Sequence, residues 1–275
     1  MAARDPEPEA VQVSHPVPGI TVIAINRAHR HNAVNTATAL KLYQAFIDFE
    51  NDPAARVAIF HGQNGTFCAG YDLHTVSESP TLSAPIPNTD PNDASRTPGP
   101  MGPSRLQIKK PVISAVAGWA VAGGTELSLI GDIRVVEEDA HFGIFCRRWG
   151  VPLLDGGTVR LRAIVGLGRA LDMILTGRPI GAQEALAMGL ANRVVPKGKA
   201  VHAALEIAQQ LLKFPYECMK ADRDSCYNAT YNARSLEEAL KFEFVGGLDC
   251  LRREGVAGAG RFSGGAGRSG DFSKL

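Results

Sequence analysis

The chain has 275 residues, 45% of them apolar and 21% charged, enough for one large core or one core with a helical appendage. Its 29 Lys and Arg residues against 28 Asp and Glu leave a formal charge of +1, so no general basic field is available to hold a nucleic acid. No apolar run approaches membrane-spanning length, and the acidic, proline-bearing stretch from Met1 to Ala10 reads as neither a secretory signal nor a transit peptide.

In chain order, Ile20 to Asn26 and Val57 to His61 are short β-branched runs expected to be buried strands. Between them Thr36 is placed to cap a helix with an apolar face of Leu40, Tyr43, Phe46, Ile47 and Phe49. Glu78 to Pro103 is crowded with Pro, Ser, Asn and Asp and predicts a long surface loop or partly disordered lid. Pro111 to Val116 resumes a strand, Gly118 to Gly124 turns into an apolar helix from Glu126 to Ile130, and Ile133 to Val136 and His141 to Phe145 are further strands. From Asp155 the pattern becomes helical, over Thr158 to Val165, Arg169 to Leu175, Gln183 to Met188, Lys199 to Leu212 and Leu236 to Arg253. Strand, helix, strand at the start and helices at the end predict an α/β layer structure with a helical C-terminal region.

The five cysteines, Cys68, Cys146, Cys218, Cys226 and Cys250, contain no C-x-x-C pair and no zinc-like spacing with His. Reduced thiols and no metal are expected. The final Ser273, Lys274 and Leu275 form a tripeptide that import receptors read as a peroxisomal address, after a Gly- and Ser-rich stretch.

Two glycine-bearing turns stand out, although each taken singly reads first as a tight turn that needs glycine. Phe67-Cys68-Ala69-Gly70-Tyr71-Asp72 follows the strand at Val57, and Ala122-Gly123-Gly124-Thr125-Glu126 opens a helix. A helix N-terminus offers unpaired amides and positive dipole to an anionic oxygen. Glu126 lies one turn into that helix among Leu127, Leu129 and Ile130, which suggests a buried functional acid rather than a solvent-facing first-turn one. Asp155, before Gly156-Gly157-Thr158, is either a second acid or a helix cap. Arg147 and Arg148 read as a solvated pair and Trp149 as packing. No His lies in a nucleophile triad motif, which disfavours hydrolysis by a covalent route.

The two turns in this order, with the Lys109 to Val116 segment between them, resemble the crotonase family. Other matching pieces are Asn26-Arg27, His31-Asn32-Ala33-Val34, Gly131-Asp132-Ile133-Arg134, Phe142-Gly143, Arg148-Trp149-Gly150-Val151-Pro152, Gly156-Gly157-Thr158 and Leu175-Thr176-Gly177. The resemblance implies a ClpP-like ββα spiral core over 11–195 holding an acyl-CoA site, a C-terminal helical region over 196–254, and a flexible tail over 255–275. It further implies that the backbone amides of Tyr71 and Gly123 form an oxyanion hole, that Glu126 is catalytic, and that the CoA adenine lies near Ala33 and Ala69. Gly70, Asp72, Gly124 and Cys146 join the expected substrate site. One departure is plain: where the hydratases of the family carry a second glutamate, this chain has Cys146, and an aspartate at the position of Asp155 is found instead in dienoyl-CoA isomerases. Expected from this resemblance are hydration of a 2-enoyl-CoA, with Glu126 polarising water and Asp155 or water supplying the proton, no cofactor beyond the CoA of the substrate, and a homotrimer or homohexamer. The alternatives are enoyl- or dienoyl-CoA isomerisation and a non-catalytic CoA-binding subunit.

Overall fold

The computed structural model describes residues 7–77 and 97–265. They fall into two compact units, divided between Ala208 and Gln209. The first unit begins with β1 (Val11–Val17), β2 (Ile20–Ile25), α1 (Thr36–Asn51), β3 (Val57–Gly62) and α2 (Leu73–Ser77). It continues with β4 (Val112–Val116), β5 (Trp119–Val121), α3 (Gly123–Ser128), β6 (Ile133–Glu137), β7 (His141–Gly143) and a 3-10 turn over Phe145–Trp149. Then come α4 (Gly157–Val165), α5 (Leu167–Thr176), β8 (Ile180–Gly181), α6 (Ala182–Ala187), β9 (Arg193–Val195) and α7 (Ala200–Leu212), which belongs to this unit as far as Ala208.

Two sheets organise this unit, one ordered β1-β2-β3-β4-β6-β9 and one ordered β5-β7-β8. The chain visits them alternately: β4 joins the large sheet, β5 the small one, and α3 follows; β6, β7 and α4 repeat the move. That repetition is the crotonase ββα spiral. Strands β3 and β4 are buried at every residue, as parallel strands covered on both faces must be, which is why they read as continuous apolar runs. Antiparallel β1 lies at the edge, its register slipping between Ser14 and Val17, around Pro16, which has no amide to give a ladder.

Three local expectations need correction. The cap of α1 is Asn35, whose side chain accepts from the Thr38 amide at 2.8 Å, and Thr36 is the first helical residue. Helix α3 starts at Gly123 rather than Glu126, so both glycines of the second turn belong to its first turn. Of the loop expected over Glu78 to Pro103, residues 78–96 lie outside the described residues, and the remainder is not a surface loop: Met101 and Ser104 beside it are fully buried.

The spiral unit runs on through Ala200, Ala204, Ile207 and Ala208, the buried positions of α7. The second unit contains α8 (Tyr216–Tyr231), α9 (Leu236–Cys250), a π turn over Leu251–Gly255 and α10 (Val256–Ser263). Helix α8 was not foreseen, because of its sixteen residues only Ser225 is buried, and a helix without an apolar stripe has no readable period. Its first amides are met from the π turn, where the Glu254 carboxylate accepts from Cys218 N at 2.9 Å. Helix α9 is capped by Ser235, which accepts from Glu238 N at 3.1 Å. The tail tripeptide Ser273, Lys274 and Leu275 lies outside the described residues.

Candidate active site

Strands β3 and β5 each lead into a bend, and the two bends are stitched together. Cys68 N donates to Trp119 O at 2.9 Å and Val121 N donates back to Cys68 O at 3.0 Å. Gly70 adopts φ 98°, and a Cβ there would stand 3.0 Å from Ala122 Cβ and 3.1 Å from Gly123 N. A Cβ on Gly124 would fall 2.0 Å from Cys68 O, so the bends approach as closely as glycine permits. Between β5 and α3, Ala122 is held at φ 52° and ψ −124°, a conformation that costs an ordinary residue about 1–3 kcal/mol. The Ala122 amide is pinned to Gly143 O at 2.7 Å. Among the described residues the Gly123 amide donates to no protein acceptor.

Buried polar groups fasten the first bend from behind. Arg27 is 4% exposed and reaches Asp72 Oδ2 at 3.2 Å, Glu7 Oε2 at 2.9 Å and the Ala33 carbonyl. Asn32 accepts from Arg27 N at 2.8 Å and donates to Gln63 O at 2.9 Å and Thr66 O at 2.6 Å. Each buried polar atom is thereby answered, and the Asn26 to Val34 motif becomes the frame of the bend.

In front of the bends lies a cavity of about 530 Å³. Ala69, Tyr71, Val121 and Gly123 line it together with Glu126, Cys146, Met101 and Asp155. Glu126 is 2% exposed, and its Oε1 accepts from Gly157 N at 2.8 Å and Asp155 N at 2.9 Å, at the N-terminus of α4. A side chain on Gly157 would collide with that carboxylate, 2.8 Å from Oε1 and 2.9 Å from Cγ. Asp155 is 4% exposed; its Oδ1 accepts from Met101 N at 2.9 Å and from the Ser104 hydroxyl. The cap position of α4 belongs to Gly156, so Asp155 does not serve as a helix cap. Each acid gives one oxygen to the protein, and Glu126 Oε2 and Asp155 Oδ2 have no protein partner among the described residues.

Burial makes ionisation of this pair costly. Glu126 is pushed up to about 8, by desolvation first and then by the charge on Asp155, against the two amides that favour its anion. Asp155 is also raised by desolvation, opposed by Ser104, the Met101 amide, Arg105 and Arg160. Asp155 has more groups that favour its anion than Glu126 has, Arg160 being shared by both. Cys146 is raised by burial and then by Glu126, so its thiol stays neutral beside the pair.

The structure therefore brings Ala69, Tyr71, Gly123, Glu126, Cys146 and Asp155 to one cavity. Ala33, Gly70, Asp72 and Gly124 lie off its wall: Gly70 and Gly124 permit the close approach of the bends, Asp72 anchors to Arg27, and the Ala33 carbonyl accepts from Arg27. Trp149, expected to pack, is 70% exposed at the cavity rim. Arg147 and Arg148 are exposed as expected, Arg148 lying over the Phe145 ring. Sequence reading missed Met101 and Ser104, whose link to Asp155 spans about fifty residues of chain. Only the Gly99-Pro100-Met101-Gly102-Pro103 cluster hinted at a constrained segment. All five cysteines are free. Among the described residues no group of three or more His, Cys, Asp or Glu side chains is disposed to hold a metal ion, and no helix is long and apolar enough to cross a membrane.

A ββα spiral with two amide-bearing bends beside a buried acid pair defines an enzyme of the crotonase class. The chain belongs to the enoyl-CoA hydratase/isomerase family, whose model matches residues 17–245. It is 39% identical over 197 residues to enoyl-CoA hydratase EchA19 of Mycobacterium tuberculosis, covering 69% of this chain and 70% of that one. To the probable peroxisomal enoyl-CoA hydratase 1 of Arabidopsis thaliana it is 33% identical over 203 residues, covering 74% and 73%. The crystal structure of enoyl-CoA hydratase EchA1 from Mycobacterium marinum superimposes with a TM-score of 0.81 at 28% identity, over 92% of this chain and 95% of that one.

Proposed function

We propose that the protein adds water to a 2-enoyl-CoA, with the thioester oxygen held by the amides of Tyr71 and Gly123. The observation that carries this reading is that Glu126 and Asp155 line the same cavity as both bends, near enough for the Asp155 charge to raise Glu126 and for Asp155 N to donate to Glu126 Oε1 at 2.9 Å. Water attack at C3 moves charge onto the thioester oxygen, where fixed amide donors in a dry site stabilise it. Asp155 Oδ2 takes the proton released by the water, C2 takes one from Glu126 Oε2, and exchange between the two acids restores the resting state. This division is the reverse of the expectation drawn from the sequence. Burial and the neighbouring charge favour the protonated form of Glu126, while against its own burial Asp155 has the Ser104 hydroxyl, the Met101 amide and Arg105 to favour its anion. No cofactor enters these steps.

The test is incubation with a 2-enoyl-CoA: its conjugated absorbance should bleach, and Glu126→Gln and Asp155→Asn should each slow this by about 10²–10⁴. Unchanged rates in both variants would remove the acid pair from the reaction. Isomerisation is the second reading, favoured by Cys146 standing where a hydratase carries glutamate. A 3,5-dienoyl-CoA whose band shifts faster than the enoyl band bleaches would select it.

The adenine end of CoA is proposed to lie near Ala33 and Ala69, which the Ala69 N to His31 O bond of 3.1 Å draws together. A homotrimer or homohexamer is proposed, supported by apolar residues that the second unit leaves exposed, among them Leu236, Phe244 and Val245; light scattering at one-chain mass would refute it. Action in peroxisomal acyl-CoA breakdown is supported by the name of the plant relative and by the expectation from Ser273, Lys274 and Leu275. Deleting Leu275 should leave a tagged copy diffuse, and unchanged punctate targeting would overturn the assignment.

A further inference from the structure

Asp155 is held by residues that neither sheet supplies. The segment 99–106 closes on itself through Gly99 and Gly102, whose amides and carbonyls pair at 2.8 Å in both directions. Gly102 sits against α1, where a Cβ would lie 2.3 Å from Ala39 O. From this closed turn Met101 N and the fully buried Ser104 hydroxyl both donate to Asp155 Oδ1. Gly99 leaves room for that contact, since a Cβ there would stand 2.4 Å from Ser104 Oγ and 2.7 Å from Asp155 Oδ1. Arg160 of α4 locks the far side, donating to the Ser104 carbonyl, to Leu106 O at 3.1 Å and to Asp155 O at 3.4 Å. The Met101 side chain meanwhile rests on the second bend, its sulfur 2.8 Å from where a Gly123 Cβ would be.

We propose that Ser104 is a positioning residue, which holds Asp155 by Oδ1 and so presents Oδ2 to the reacting water. This rests on the reading of Asp155 as the proton acceptor. A hydroxyl that donates to a carboxylate favours its anion, so Ser104 also sets the pH at which Asp155 becomes competent. The other titratable and charged groups facing the acid are Glu126 of α3, Cys68 and Tyr71 of the first bend, Arg105 of the same segment and Arg160 of α4. A substitution at Ser104 alone leaves all of these residues unchanged in the sequence. Cys146 acts only at one remove, through Glu126.

The test is the pH profile of kcat/KM with but-2-enoyl-CoA for the wild type, Ser104→Ala, Ser104→Thr and Asp155→Asn. Ser104→Ala should move the acid limb up by about one to two pH units, the scale of one hydrogen bond to a charged group. Its alkaline limb should hold, and Ser104→Thr, which keeps the hydroxyl, should restore the wild-type profile. An unmoved acid limb in Ser104→Ala with Asp155→Asn inactive would overturn the role of Ser104 alone. So would an activity loss equal at every pH that Thr fails to rescue, the signature of a structural defect. Retained activity in Asp155→Asn would instead overturn the reading of Asp155 itself. Should Ser104→Ala not fold, Ser104→Cys, a weaker donor, is read by the same limb and the same outcomes.

Discussion

The two sides of the cavity are built by different means. One is made of backbone: the bends at 68–72 and 119–125 are joined by main-chain bonds of 2.9 and 3.0 Å and kept close by Gly70 and Gly124. The other is made of side chains: Glu126 and Asp155, each tied by one oxygen to amides or a hydroxyl from α4 and the segment 99–106. Amides carry no titrating proton, so the first side performs alike across the pH range and yields only to changes that move the main chain. The second is adjustable, since burial, the neighbouring charge and every donor on it set the pH at which its protons are lost. A fixed site for developing charge and a tunable source of protons can therefore be altered separately.

The largest expected effect falls on the acid side. Glu126→Gln should lower kcat by about 10²–10⁴ and at the same time stabilise the fold. The folded protein keeps the Glu126 proton up to about pH 8, whereas the unfolded chain releases it near 4.5, so wild-type stability falls as pH rises through that interval. Thermal melts at pH 8 should place the variant above the wild type; a lower melting point would mean that Glu126 is an anion the fold needs.

On the amide side, Gly123→Pro removes one donor, its ring pushing aside the flexible end of Met101, and should lower kcat by about 10²–10³ while leaving both limbs of the pH profile where they were. A shifted limb in that variant would show that the two sides are not separable. Within the wild type, kcat should fall as pH rises above about 8, where Glu126 loses its proton; a profile flat to pH 10 would remove it as the acid. The smallest effect belongs to Trp149→Ala. The ring is exposed at the rim, so KM should rise less than about tenfold with kcat unchanged, and a matching drop in kcat would place the ring in the transition state.

The amide side was far more legible in the sequence than the acid side. Buried parallel strands announce themselves as β-branched runs, and Gly70 and Gly124 mark the bends because a side chain at either would press on main-chain atoms of the other bend. Glu126 was readable from its apolar helix. What escaped was everything held by contacts distant along the chain: the donors from Met101 and Ser104 to Asp155 leave no periodic trace, and a serine in a proline-rich segment looks like any surface serine. Asp155 before Gly-Gly-Thr invited a capping assignment, but Gly156 holds that position and the Glu126 carboxylate meets the α4 amide instead. Helix α8 was hidden for the opposite reason, since its exposed surface offers no apolar repeat.

The most direct measurement is the vibrational frequency of the thioester carbonyl in a but-2-enoyl-CoA bound to the slow Glu126→Gln variant, by Raman difference with and without ¹³C at that carbon. Two amides converging on the oxygen should draw the band well below its position in water, and adding Gly123→Pro should return it most of the way. A carbonyl band at its aqueous frequency with the ligand bound, or one that Gly123→Pro leaves displaced, would contradict the account.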